Sequence, residues 1–167
     1  MYNLLVSSND GSWNGEPWLV ERSRCVREYT SYAMQDSYGA LGPAEIDKLR
    51  RFPCIFAYEA FNKLDPRFGL IRDVTVRQDE VRVDYELHEL DTFLTAKQLE
   101  DMMFELEISK WELNRTRWAV KDVDLPAELN RKCIALPRCS TCRAKDQPQG
   151  PSVRRRTLFP WRGASLC

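Results

Sequence analysis

Apolar and polar residues alternate most cleanly over residues 68–88. Val81, Val83, Tyr85 and Leu87 are interleaved with Arg82, Asp84, Glu86 and His88, which predicts a half-buried strand of period two. Upstream, Phe68, Leu70, Val74 and Val76 fall on one side and Ile71 on the other. Arg72 interrupts the pattern, so a bulge is expected near 71–73. The polar run Arg77-Gln78-Asp79-Glu80 closes the two strands into an antiparallel hairpin.

A helical period follows. Thr95 and Gln98 have capping-box spacing, and Leu94 with Leu99 has the spacing of a hydrophobic staple. Leu99, Met102, Met103 and Leu106 then recur at i, i+3, i+4 and i+7, one apolar stripe of a helix. An earlier helix is expected from Pro43, with Glu45 in its first turn, Lys48, Arg50 and Arg51 in its last, and Ile46 and Leu49 facing inward. Pro53 stops it. Further strands are expected at Tyr2–Val6, 18–24, 54–59 and 116–121, the last with Trp118 and Val120 on one face. A short helix runs from Pro126 to about Leu129. Residues 8–17 read as a loop, and 28–40 hold no clean period and read as irregular. This order predicts an α+β fold: an antiparallel, curled sheet or small open barrel with two main helices and a short third.

Charge divides the chain near residue 131. Residues 1–130 carry 16 Lys+Arg against 24 Asp+Glu and net −8, whereas residues 131–167 carry 9 basic residues and one acid, Asp146, and net +8. The formal charge of zero therefore describes neither part, and the expected organisation is an acidic globular domain, 1–130, followed by a basic Cys- and Pro-containing tail, 131–167. At 167 residues the chain can bury a core without staples. No apolar run approaches the roughly 20 residues of a membrane span, and the first residues lack the basic start of a signal peptide. A cytoplasmic location is the expectation.

The chemistry-bearing residues form no familiar catalytic pattern. The seven glycines make no phosphate loop. His88 is the only histidine and reads as an exposed, incidental one. Glu112, Arg115, Arg117 and Lys121 make the densest polar cluster. The three cations project opposite Trp118 and Val120, either as a surface charge network or as a grip for a phosphate or carboxylate ligand. A metal-dependent nuclease would need carboxylates and a Lys to converge. Asp84, Glu86 and Lys121, with Asp73, are the candidates if their strands are neighbours. Trp13, Trp18, Tyr29 and Tyr32 among Arg22, Arg24 and Arg27 can be read as a base-stacking surface or as core-edge aromatics, and the acidic balance of the body favours the latter.

Cys25 and Cys54 read as buried thiols. Cys133, Cys139 and Cys142 contain one Cys-x2-Cys knuckle, half of a zinc site, against the plainer reading of reduced thiols. No cofactor is expected unless zinc binds there. Arg154, Arg155, Arg156, Phe159 and Trp161 resemble a linear docking motif for another protein, or a contact to nucleic acid.

Glu112, Asn114, Arg115, Thr116, Trp118, Ala119, Val120, Lys121, Asp122, Asp124 and Leu125 together make a segment that resembles one in small uncharacterised bacterial proteins, some of them associated with anti-phage defence. FGLIRDVTV and VRVDYEL are similar to the same group, so the resemblance covers about residues 1–130. This chain has Arg117 where that pattern has His. The resemblance implies a fold family and a biological setting, and no activity. The expected function is a noncatalytic cytoplasmic interaction or ligand-sensing module. Nucleic-acid binding through the tail and a small metal-dependent nuclease are the alternatives.

Overall fold

The first strand, β1 (Tyr2–Ser7), has six consecutive residues all buried, which requires a neighbouring strand on each side and a packed layer on each face. The structure, a computed structural model, describes residues 1–91, 93–134 and 136. The remaining elements are β2 (Trp18–Glu21), α1 (Tyr32–Tyr38), α2 (Pro43–Leu49), β3 (Pro53–Tyr58), β4 (Arg67–Val76), β5 (Glu80–His88), α3 (Ala96–Asp101), β6 (Arg117–Lys121) and α4 (Leu125–Arg131). Among the described residues the six strands lie in the order β2-β5-β4-β3-β1-β6, an open sheet in an α+β fold with four helices.

The sheet is mixed, which corrects the expectation of an antiparallel one. β1 runs parallel to β3, with Leu4 opposite Ile55 and Val6 opposite Ala57, and antiparallel to β6 on its other side. A parallel pair needs a long crossover, and here that connection carries β2, α1 and α2. Among the described residues the sheet is not closed.

Alternation along the central strands builds two cores. Leu5, Cys54, Phe56, Trp118 and Val120 face a layer that includes Trp13, Tyr38, Leu41 and Leu49. Tyr2, Leu4, Val6, Ile55 and Ala57 face the other, with Leu99, Met102, Leu106, Leu113 and Leu129. The compact unit spans Met1–Leu136, and Ile134 and Leu136 still pack on the second core.

The hairpin forms with its bulge between Ile71 and Asp73. The bulge inverts the phase expected for β4. Ile71 pairs with Tyr85 and Val74 with Val83, so Ile71 and Val74 share the first core, while Leu70 is opposite Glu86 on the other face.

Two helices differ from expectation. Residues 32–38 form α1, started by Ser31, whose hydroxyl accepts from the Met34 N–H. Only Tyr38 in that helix is buried, so there was no apolar stripe to read. α3 begins at the expected capping box, with both Thr95–Gln98 hydrogen bonds made, but ends at Asp101. Leu106 still reaches the second core through a turn, its N–H bonded to the Met102 carbonyl at 3.0 Å, before Glu107 adopts φ +53°.

Among the described residues no helix is long and apolar enough to cross a membrane.

Candidate functional site

β6 ends the sheet, yet all five of its residues are buried. Its outer edge is covered by the segment after β2. The Val26 N–H donates to the Trp118 carbonyl at 2.7 Å, and the Val120 N–H donates to Thr30 Oγ1 at 3.1 Å. These bonds satisfy an edge that would otherwise offer free backbone groups. Val26 at φ +52° and Tyr29 at φ +58° are left-handed, a costly state for a β-branched or bulky residue. Glu28 stands between them.

Strand alternation turns Trp118 and Val120 into the first core and Arg117, Ala119 and Lys121 to the opposite face. The expected row of cations is thus on one side, but it is buried: Arg117 and Lys121 are 1% and 4% exposed. Neither is a surface charge. Lys121 Nζ donates to three acceptors at 2.8 Å each: Glu112 Oε2, the Tyr29 carbonyl and the Glu107 carbonyl. All three ammonium protons are therefore used. Both carbonyls belong to left-handed residues, so one ammonium ties the covering segment to the loop after α3.

Glu112 lies in a 3-10 turn, Glu112–Asn114, and is fully buried. Its Oε2 also accepts from the Ser109 N–H at 3.0 Å, while Oε1 has no hydrogen-bond partner. Burial pushes its carboxyl above the ordinary range, against the opposing pull of Lys121. Tyr2, whose hydroxyl donates to the Leu106 carbonyl at 2.8 Å, is raised well above its usual value, chiefly by burial and then by Glu112.

Arg117 is satisfied differently. Its Nε donates to the Arg115 carbonyl at 3.2 Å, and the Tyr29 ring lies 4.0 Å from Cζ. Both terminal nitrogens are buried without a hydrogen-bond acceptor. The nearest counter-charge is Glu28 Oε2, 3.7 Å from one of them, and the same oxygen lies 3.4 Å from a terminal nitrogen of Arg115. Burial lowers the Arg117 pKa from its ordinary value, and Glu112, Tyr29 and Glu28 oppose that. Arg115 and Glu28 are about half exposed, at 55% and 49%, so this end of the cluster meets solvent.

The structure therefore unites the four residues singled out for ligand binding, although Arg115 stands outside β6. It adds Glu28, which sequence reasoning missed, and Tyr29, which that reasoning placed among base-stacking or core-edge aromatics rather than at this cluster. They lie 87 positions from Arg115 and 92 from Lys121, and no local spacing links them.

The nuclease candidates do not converge. Asp73 is opposite Asp84 in the hairpin, but Asp84 pairs with Arg82 at 2.8 Å and Glu86 pairs with Arg72. Lys121 lies four strand spacings from β5, roughly 19 Å along the sheet, with its donors occupied. Among the described residues no three His, Cys, Asp or Glu side chains are grouped as metal ligands would be.

His88 is half-buried rather than exposed, its ring edge-on to Phe68 and Nε2 3.7 Å from Glu86 Oε1. Trp13 and Trp18 are buried with ring centroids 5.2 Å apart, so they offer no face to a base. Cys25 and Cys54 are buried, and burial pushes both thiols up to about 12. Cys133 is exposed, whereas Cys139 and Cys142 lie outside the described residues, as do Arg154, Arg155, Arg156, Phe159 and Trp161.

No family model matches this chain, and neither the curated proteins nor the solved structures contain a match to it.

Proposed function

We propose that this domain is a noncatalytic ligand-sensing module for small anions, read at the cluster of Arg115, Arg117, Lys121 and Glu112. The observation that supports this is the Arg117 guanidinium. It is buried, stacked under Tyr29, and left with both terminal nitrogens lacking an acceptor. Leaving a buried charged donor unpaired costs more than an ordinary hydrogen bond returns, so a site of this kind gains most from an incoming anion. Lys121 then couples the site to the rest of the domain, because it holds both the covering segment and the loop after α3. An accessory role in bacterial defence is the setting we propose, resting on the resemblance of residues 112–125 alone.

The test is thermal unfolding with phosphate, acetate and a neutral sugar at matched ionic strength. A ligand that binds the folded state raises Tm. The expected result is a rise with an anion in the wild type, lost in Arg115→Gln, with the anion recovered chemically unchanged. No rise with either anion, or an equal rise in the variant, would overturn the reading. The charge of segment 131–167 favours a second reading, nucleic-acid binding. That reading expects affinity that falls steeply with salt and is lost on deleting residues 143–167.

A further inference from the structure

Among the described residues, Glu28 is the one acid within 4.0 Å of both arginines. A single oxygen, Oε2, lies 3.4 Å from Arg115 and 3.7 Å from Arg117, too long at both for a strong charge-assisted bond, and those run at about 2.8 Å. Oε2 accepts one long hydrogen bond from Arg115 and none from Arg117, so the carboxylate straddles the two guanidinium groups without a close pairing to either. It is carried on a segment held in place from both sides, by Val26 on Trp118 and by Thr30 on Val120. The left-handed residues Val26 and Tyr29 bracket it.

We propose that Glu28 is an internal stand-in for the ligand. An oxyanion of the carboxylate or phosphate class displaces its side chain and takes up the terminal nitrogens of Arg117 together with Arg115. The inference rests on the anion-sensing reading above and adds to it the identity of the competitor. A guanidinium presents paired N–H groups in a plane, the shape that carboxylate and phosphate oxygens match two at a time. With Nε of Arg117 already given to the Arg115 carbonyl, its NH1 and NH2 are the pair that remains. The Tyr29 ring covers one face of that guanidinium, so the anion enters from the side where Glu28 now stands. No bond to carbon or phosphorus changes in this exchange. One carboxylate leaves to solvent as another oxyanion arrives.

The experiment titrates inorganic phosphate, and separately acetate, into 15N-labelled full-length protein at constant ionic strength, following the amides of residues 26–31 and 115–118. Glu28→Gln keeps the shape and removes the competing charge, so at least one probe should bind it about tenfold more tightly than the wild type. Phosphate alone tightening identifies the phosphate class, and acetate alone the carboxylate class. Arg115→Gln should bind tenfold less. Both positions are half exposed, and circular dichroism checks that each variant is folded. If the wild type binds, Arg115→Gln does not, and Glu28→Gln matches the wild type within twofold, the stand-in role is wrong while the anion-sensing reading stands. If neither probe moves these amides in the wild type or in Glu28→Gln, both readings fail.

Discussion

Replacing Lys121 by Met is the sharpest test of the buried cluster. The substitution keeps most of the side-chain volume and removes three donors, each now 2.8 Å from its acceptor. It leaves Glu112 buried with an uncompensated charge and strands the carbonyls of Tyr29 and Glu107. Breaking one side of a buried ion pair costs about 3–5 kcal/mol. In a domain of this size that corresponds to a Tm lower by roughly 10–20 °C. The loss should depend on pH. Burial already raises the Glu112 carboxyl above its ordinary value, and Lys121 is the largest influence holding it down. Without Lys121 the folded-state value rises further. A group raised in the folded state lends its full stability below its unfolded pKa and loses it as pH climbs through the folded value. The variant should therefore fall further below wild type at about pH 8 than at about pH 5. Adding Glu112→Gln should recover part of the loss, because the charge left behind is then gone. Urea unfolding of the wild type and the two variants at both pH values measures this. A cost for Lys121→Met of under about 1 kcal/mol, equal at both pH values, would refute the claim that Lys121 holds the cluster together.

Two further outcomes check the packing. At Gly69 in β4, an added Cβ would collide with the Glu86 carbonyl oxygen and press on Phe56 at 3.0 Å, so Gly69→Ala should cost about 2 kcal/mol or more in urea unfolding. Cys25 and Cys54, buried and with thiols pushed up to about 12, should resist alkylation in the native protein, and Cys133 should react. Peptide mapping after a short treatment distinguishes them, and modification of Cys25 or Cys54 before Cys133 would contradict the packing.

The features legible in the sequence were those written within a few residues of one another. The Thr95–Gln98 capping box, the bulge near Arg72 and the alternation of Trp118 with Val120 are all local signals, and all three are present. The parallel pairing of β1 with β3 was not legible, because nothing in either apolar run encodes which strand lies beside it. α1 was hidden because a seven-residue helix burying one side chain has no stripe. The cluster was half legible. Its cations were visible in β6, but Arg and Lys are ordinarily exposed, so their burial ran against the prior. Glu28 and Tyr29 are brought to them only by the covering of the β6 edge, a tertiary event with no counterpart in residue spacing.

The position of β1 has a consequence for how the chain is made. Its two neighbours are β3, about fifty residues downstream, and β6, where Trp118 Nε1 donates to Asn3 Oδ1 across a separation of 115 positions. Synthesised before every other strand described, β1 is among the last to be fully paired. Until residues 117–121 have been synthesised, Tyr2, Leu4 and Val6 lack a partner on one side, and nascent chains in that interval present an apolar edge to one another. Contacts of such long range slow folding and lengthen the exposure to aggregation. The burial that anchors β1 in the finished sheet is thus a liability while the chain is being made.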